Sequence, residues 1–345
     1  MEKVLGFLFL LCSALAAPAQ VTLPTGRIVP KDSFIVFLFV GHSNMTGRDR
    51  VAPDTAESPF LWNCLLNRPP QLAWIPAREP LHIENPPDQE FGCGPGMPFL
   101  KALSSACPGY YFGIIQNSNS GYCVQGNFRR GKDAYDEEIG AASLFAGTVT
   151  LGGIVAMIGW VEAEDGSVEA NPFQFALQES CMVAEMRSDL QKTDLPFVIG
   201  EFENGASSPL AVDRDTVAAQ IFATPARITN SAIVSSEGMT YTDDHHYDCS
   251  SQKVWGERAA RVLVDHGWGP GRTSTAEPLA WCAPSGTILP HRGDEIRFFD
   301  LRGRLVASIP VASDGIIPRS ELRGMYIVKH VRGPTALATT LRFLF

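Results

Sequence analysis

Residues 35–48 read Ile-Val-Phe-Leu-Phe-Val-Gly-His-Ser-Asn-Met-Thr-Gly-Arg, an unbroken apolar run that ends in a Gly-x-Ser turn. The run is short and rich in β-branched and aromatic residues, which predicts a strand buried on both faces, as in a parallel sheet. A serine at the carboxyl end of such a strand lies in the crevice where open α/β sheets place their ligands. Gly41 permits a tight turn, and the N–H groups that follow face any negative charge developing there. Ser43 is therefore a candidate nucleophile. A serine in this place also serves as a helix N-cap, and the local residues do not separate the two roles.

The same alternation continues outward from this turn. Ser33–Val40, Tyr110–Gln116, Thr148–Trp160, Leu195–Phe202 and Ser231–Ser235 have strand character. Pro172–Lys192, Asp215–Ile228 and Ser250–Asp265 carry apolar residues at helical spacing, the last with a serine at its start and Gly267 just past its end. Strands alternating with helices predict a three-layer α/β/α, flavodoxin-like parallel sheet over residues 20–268. The proline-rich stretch from Arg50 to Gly96 reads as a loop insertion that shapes one side of the crevice.

Both ends of the chain differ from this middle. Residues 1–19 have a charged start, an apolar run and small residues near Ala16 and Ala19, the pattern of a secretory signal peptide. No later run is long enough to span a bilayer, so the expected location is secreted or cell-surface. Cys12 lies in that leader, leaving Cys64, Cys93, Cys107, Cys123, Cys181, Cys249 and Cys282, an odd number with no Cys-x-x-Cys and no zinc-ligand spacing. Some disulfides are expected in an oxidising compartment, and the sequence does not assign them. A formal net charge of −9 argues against a nucleic-acid partner and suits a neutral polymer such as a polysaccharide. Residues 269–286 read as a Gly/Pro/Ser/Thr linker, and residues 287–345 as a small β-sandwich module with strands at Glu295–Asp300, Leu305–Pro310, Met325–His330 and Thr339–Leu344.

A serine hydroxyl needs a base within hydrogen-bond reach, and the base needs an acid to hold it. The run Thr242-Asp243-Asp244-His245-His246-Tyr247-Asp248 offers both, because Asp243 and His246 form an Asp-x-x-His pair within one loop. With Ser43 they make a set in the chain order Ser…Asp…His. The run has two other readings: Asp244, His245 and Asp248 as metal ligands, or a solvated turn.

These blocks resemble the SGNH hydrolase superfamily, and within it the sialate O-acetylesterase and acetylxylan esterase branch. That branch reads Gly-Gln-Ser-Asn-Met at the nucleophile, where this chain has His42, and its Asp-x-x-His block continues with an aromatic and an acid, as Tyr247 and Asp248 do. Ile114–Gly121 resembles the second strand and its oxyanion turn, and Leu195-Pro196-Phe197-Val198 a later strand of the family. The resemblance covers residues 30–266. It implies acyl transfer from an acetylated carbohydrate, with Ser43 as nucleophile, His246 as base, Asp243 orienting the ring, and no metal or organic cofactor. It implies oxyanion donors at the N–H groups of Ser43 and Gly121 (Gly96 being the second choice), and substrate contacts at His42, Asn44, Asn119, Trp160 and Glu164.

One block departs from the family. Trp-x-Gln-Gly-Glu, whose glutamine supplies an oxyanion donor, here reads Trp160-Val161-Glu162-Ala163-Glu164. A carboxylate at Glu162 opposes a developing oxyanion unless it is protonated, or unless it points elsewhere and Asn117 or Asn119 donates instead. The sequence therefore leaves three functions open: a secreted carbohydrate O-acetylesterase, a catalytically impaired glycan-binding protein on the same fold, and a general small-ester hydrolase. Trp160 and Tyr247 are readable as sugar platforms or as core, and Arg48, Arg129 and Arg130 as sugar contacts or solvated charges. The segments Glu295–Val306 and Leu322–Val328 resemble type IX-like sorting domains, which implies secretion machinery as a partner.

Overall fold

The computed structural model describes residues 20–49, 58–64, 66, 72–81, 92–165, 169–202, 207–209 and 211–270, and the strand segments 295–299, 305–310, 325–331 and 339–344. The expected signal peptide and most of the expected linker lie outside the described residues.

A short hairpin, β1 (Gln20–Thr22) and β2 (Ile28–Pro30), leads into β3 (Phe34–Gly41), and the four-residue helix α1 (Ser43–Thr46) follows at once. Next come β4 (Leu61–Cys64), β5 (Trp74–Pro76), α2 (Gly96–Ala106), β6 (Tyr111–Ser118), α3 (Val124–Asn127), α4 (Asp133–Phe145), β7 (Thr150–Met157) and α5 (Trp160–Asp165). The α/β part closes with α6 (Phe175–Asp189), β8 (Phe197–Gly200), α7 (Arg214–Phe222), α8 (Thr224–Arg227), β9 (Ser231–Val234) and α9 (Cys249–Asp265).

One seven-stranded sheet runs in the order β5-β4-β6-β3-β7-β8-β9. All its pairs are parallel except β4 with β5 at one edge. Without that edge pair the order is second-first-third-fourth-fifth, the flavodoxin-like arrangement expected from the sequence. The edge pair corrects the reading of Arg50–Gly96 as loop alone: two of its segments, Leu61–Cys64 and Trp74–Pro76, extend the sheet.

Alternation along β3 divides the core in two. Phe34, Val36, Leu38 and Val40 join Tyr135, Phe175, Met182, Val183, Val217 and Ile221 from α4, α6 and α7. Ile35, Phe37 and Phe39 join Met97, Phe99, Leu103, Trp255, Ala259 and Leu263 from α2 and α9. All of these are at most 4% exposed. The central strand is apolar throughout because both of its faces are covered. A single helix over Asp215–Ile228 is not what forms: the chain breaks at Ala223 and restarts with Pro225 in the first turn of α8, where its missing N–H costs nothing.

After residue 287, β10 (Glu295–Phe299), β11 (Leu305–Pro310), β12 (Met325–Val331) and β13 (Thr339–Leu344) form a separate antiparallel sheet in the order β11-β10-β12-β13. Among the described residues the module consists of this one sheet, without the second layer of a sandwich.

Candidate active site

The site lies at the carboxyl ends of β3, β6 and β7, beside the point where the sheet's winding reverses. Gly41 ends β3 where a Cβ would come within 2.4 Å of Met157 O and 2.7 Å of the Met45 Cβ, so the serine turn is drawn against β7 in a way that only glycine allows. The N-cap of α1 is His42, whose Nδ1 accepts the Asn44 N–H at 3.3 Å. Ser43 is therefore the first helical residue and not the cap. Its N–H has no acceptor within the helix, and its hydroxyl is free of a capping role.

The first three carbonyls of this short helix each have a partner. Gly47, at φ +93°, donates to Ser43 O. Gln252 Nε2 donates to Asn44 O at 2.9 Å and Gln116 Nε2 donates to Met45 O at 3.0 Å. Thr46 Oγ1 donates to Ser118 Oγ. Gln116 and Gln252 are 3% and 0% exposed, and the sequence reading missed both. A glutamine inside the apolar strand Ile114–Ser118 was the available signal, since a buried amide requires partners.

Ser43 Oγ lies 2.8 Å from His246 Nε2, and His246 Nδ1 lies 2.6 Å from Asp243 Oδ2. Asp243 Oδ1 accepts the backbone N–H groups of His245 and His246 at 2.9 and 2.7 Å. Burial pushes the Asp243 carboxyl up, but these N–H groups and the His246 ring outweigh it and hold it at about 2. A carboxylate only accepts, so the network assigns the proton of His246 to Nδ1 and leaves Nε2 to accept from Ser43. Burial lowers His246 below its ordinary value, opposed by Asp243 and assisted by the charges of His245 and Arg48. The ring is accordingly neutral near pH 7.

Asn44 joins the serine turn to this loop. Its Nδ2 donates to His245 O at 3.0 Å and its Oδ1 accepts the Tyr247 N–H at 2.9 Å. Expected at the substrate, Asn44 is 1% exposed and spends its amide on positioning the Asp–His loop. A second tie is covalent: Cys93 and Cys249 form a disulfide, and Asp49 Oδ2 accepts the Cys249 N–H at 2.7 Å. Asp49, itself bridged to Cys93, thus links the chain just after Ser43 to the start of α9, three residues past His246.

The other predicted residues divide into walls and struts. Trp160 is 4% exposed and stacked between Phe202 (5.2 Å, 19°) and His245 (4.8 Å, 13°), so it buttresses the loop. Tyr247 is buried against Tyr241. His42 is buried, and burial followed by the charges of His246 and His245 lowers it to about 3, so it is a neutral cap and not a surface contact. Asn119 is half-buried at the end of β6, its N–H donating to Gly41 O at 3.2 Å, while Gly121 sits in the exposed turn beyond it at φ +76°. Gly96 instead packs beneath Leu81 at the start of α2. Asn117 Nδ2 is committed to Ala134 O and Glu137 Oε2 on α4. Arg129 pairs with Glu185 and Arg130 with Asp189.

Glu162 is 2% exposed on α5, with Glu164 half-buried on the same helix. Its Oε1 accepts the Val124 N–H at 2.7 Å, at the start of α3, and its Oε2 has no partner among the described residues. Burial raises the carboxyl to about 7 against the pull of three backbone N–H groups.

The metal set Asp244, His245 and Asp248 is not assembled, because Asp248 is the N-cap of α9 and accepts the Ser251 N–H at 2.8 Å. Instead, Asp243, His245 and His246 bring ligand atoms within 4.8 Å of one another.

A family model described as carbohydrate esterase, sialic acid-specific acetylesterase, matches residues 33–265. A probable carbohydrate esterase of Arabidopsis thaliana is 23% identical over 179 residues, covering 47% of this chain and 66% of the plant protein, just under two thirds of its length. A crystal structure of an Arabidopsis thaliana protein superposes with a TM-score of 0.55 at 19% identity, covering 67% of this chain and 98% of that one. The crystal structure of NanS superposes with a TM-score of 0.56 at 11% identity, covering 70% and 99%. At such identities the structures speak to the fold.

Proposed function

The chain belongs to the carbohydrate esterase, sialic acid-specific acetylesterase family, and from that premise we propose that it is an exported carbohydrate O-acetylesterase working through Ser43, His246 and Asp243. The observation that carries the reading is the continuous contact from Ser43 Oγ to His246 Nε2 at 2.8 Å and from His246 Nδ1 to Asp243 at 2.6 Å.

Ser43 attacks the acetyl carbonyl while its proton passes to His246 Nε2. Asp243 keeps the Nδ1–H tautomer and stabilises the imidazolium that forms. The Ser43 N–H, unclaimed within α1, and the Gly121 N–H receive the oxyanion, and Asn119 borders the same crevice. The imidazolium returns the proton to the sugar oxygen, and the freed alcohol departs. Water then attacks the acetyl-enzyme by the same proton route and releases acetate. The Val124 N–H supports the reading by occupying Glu162 Oε1, which removes one carboxylate oxygen from opposition to the oxyanion. The net charge of −9 favours a neutral acetylated glycan as substrate.

Export rests on the leader-like residues 1–19 and is supported by the Cys93–Cys249 disulfide, a bond suited to an oxidising compartment. The module over residues 287–345 is assigned to the secretion machinery on its sorting-domain resemblance.

The test is acetate release from acetylated xylan and from O-acetylated sialic acid. Ser43→Ala should lower kcat at least about a thousand-fold, since nucleophile and base act as a unit. Unchanged acetate release in that variant refutes the mechanism. Glycan binding without acetate release by the unaltered chain identifies the binding-protein function instead.

A further inference from the structure

The run Asp243-Asp244-His245-His246 holds more metal-ligating groups than a proton relay uses. His245 takes no part in the relay, yet its Nδ1 lies 2.6 Å from Asp244 Oδ1 and 3.9 Å from Asp243 Oδ1. His246 Nδ1 lies 2.6 Å from the other oxygen of Asp243. A tetrahedral zinc with ligands at about 2.0–2.1 Å needs ligand atoms about 3.3 Å apart; within the set Asp243, His245 and His246, one carboxylate oxygen lies 3.9 Å from His245 Nδ1, the other 2.6 Å from His246 Nδ1, and one ligand atom of each residue lies within 4.8 Å of the other two. The backbone carrying the groups is held in place: Asp243 accepts two N–H groups of the turn, Asn44 holds His245 O, and the Thr242 N–H donates to His246 O. The side chains are open to solvent, with Asp243 47% and His245 24% exposed.

We propose that Asp243, His245 and His246 form a site for a zinc-type divalent cation, and that occupancy of this site switches the esterase off. Two imidazoles with a carboxylate suit zinc, copper or nickel, and they discriminate against magnesium and calcium, which take oxygen ligands. The consequence for the relay is chemical. A cation on His246 Nδ1 takes the lone pair that Nδ1 can offer only without its proton, so the proton of the neutral ring moves to Nε2. A protonated Nε2 accepts nothing from Ser43, and the Asp243 carboxylate is withdrawn to the metal at the same time. The switching part of the proposal rests on the esterase reading, whereas the binding site does not.

The two are tested separately on the full chain. Calorimetric titration with zinc chloride should show one strong site in the unaltered protein and in Ser43→Ala. In His245→Phe, which keeps an aromatic ring against Trp160 but removes the nitrogen, the dissociation constant should rise at least about tenfold. Zinc should shift the ring nitrogen resonances of His245 and His246 in the unaltered protein and leave His266 unmoved, a readout that needs no variant to fold. With zinc at about ten times its dissociation constant, mass action leaves about one enzyme in eleven metal-free. Acetate release should then fall about elevenfold and recover on chelation, while magnesium at the same concentration changes nothing. Absence of binding, or equal binding and inhibition in His245→Phe referenced to its own chelated rate, overturns the proposal. If no acetyl ester is hydrolysed, calorimetry and resonance shifts still decide the metal site. If hydrolysis proceeds and zinc does not bind, the esterase stands and the metal site falls.

Discussion

Replacing Glu162 by glutamine should stabilise the protein, and by an amount that depends on pH in a defined way. The carboxyl is 2% exposed and ionises at about 7 in the folded chain, against an ordinary 4.5. Between those two pH values the folded state keeps a proton that the unfolded state has lost, so stability falls as pH rises through the window. Once pH exceeds 7, the accumulated cost of this one group is about 3 kcal/mol. Glutamine carries no such cost. Its oxygen can go on accepting the Val124 N–H, and its amide nitrogen replaces the partnerless Oε2. Gln125 Oε1, also without a partner among the described residues, lines the same small gap. Urea unfolding of both proteins at about pH 5 and about pH 8 measures the effect, because the other titrating groups cancel in the difference. The variant should gain little at the lower pH and up to about 3 kcal/mol at the higher one. A gain that is the same at both values, or a loss at the higher one, refutes the claim that a buried, reluctantly charged carboxyl sits at this position.

The pH dependence of activity provides a second check. In the proposed mechanism His246 accepts the serine proton only when neutral, and burial lowers it below 6.5, so kcat/KM should hold as pH falls through 6.5 and decline only below it. An acidic limb centred above 6.5 contradicts this. Removing the Cys93–Cys249 disulfide, as Cys93→Ser with Cys249→Ser, releases a closure of 156 residues. Chain entropy sets that loss at up to about 5 kcal/mol, read as a lower urea midpoint, and no shift in the midpoint refutes it.

How much of this was legible in the sequence depends on how local each determinant is. The parallel core was legible because β3, β6 and β7 are buried on both faces and therefore read as continuous apolar runs. The edge strands β4 and β5 were hidden among prolines, since Leu61–Cys64 and Trp74–Pro76 are short and take their conformation from pairing with β6 and with each other. Helix α4 was missed for a related reason: it offers the sheet small residues, Ala134, Ala141 and Ala142, and even buries Glu138, so its apolar stripe is faint.

At the site, the residues proposed to do chemistry and the residues that hold them in place differ in legibility. Ser43, Asp243 and His246 stand in short motifs whose spacing already implies contact, because Asp-x-x-His closes within one turn. The positioning residues carry no such signature, since each acts across a long separation: Gln252 holds Asn44 O from α9, Gln116 holds Met45 O from β6, and Cys93 reaches Cys249. Asn44 belonged to a recognised motif and was still assigned to the substrate, because a sequence block marks a position without saying which way the side chain faces. Once folded, its two amide ends meet His245 O and the Tyr247 N–H, and the residue beside Ser43 ties its turn to the loop that carries His246. The same reasoning recasts Glu162. In sequence it is a charge in the place of an oxyanion donor, whereas in the fold it is a buried acceptor for the first N–H of α3, whose remaining cost is one of solvation.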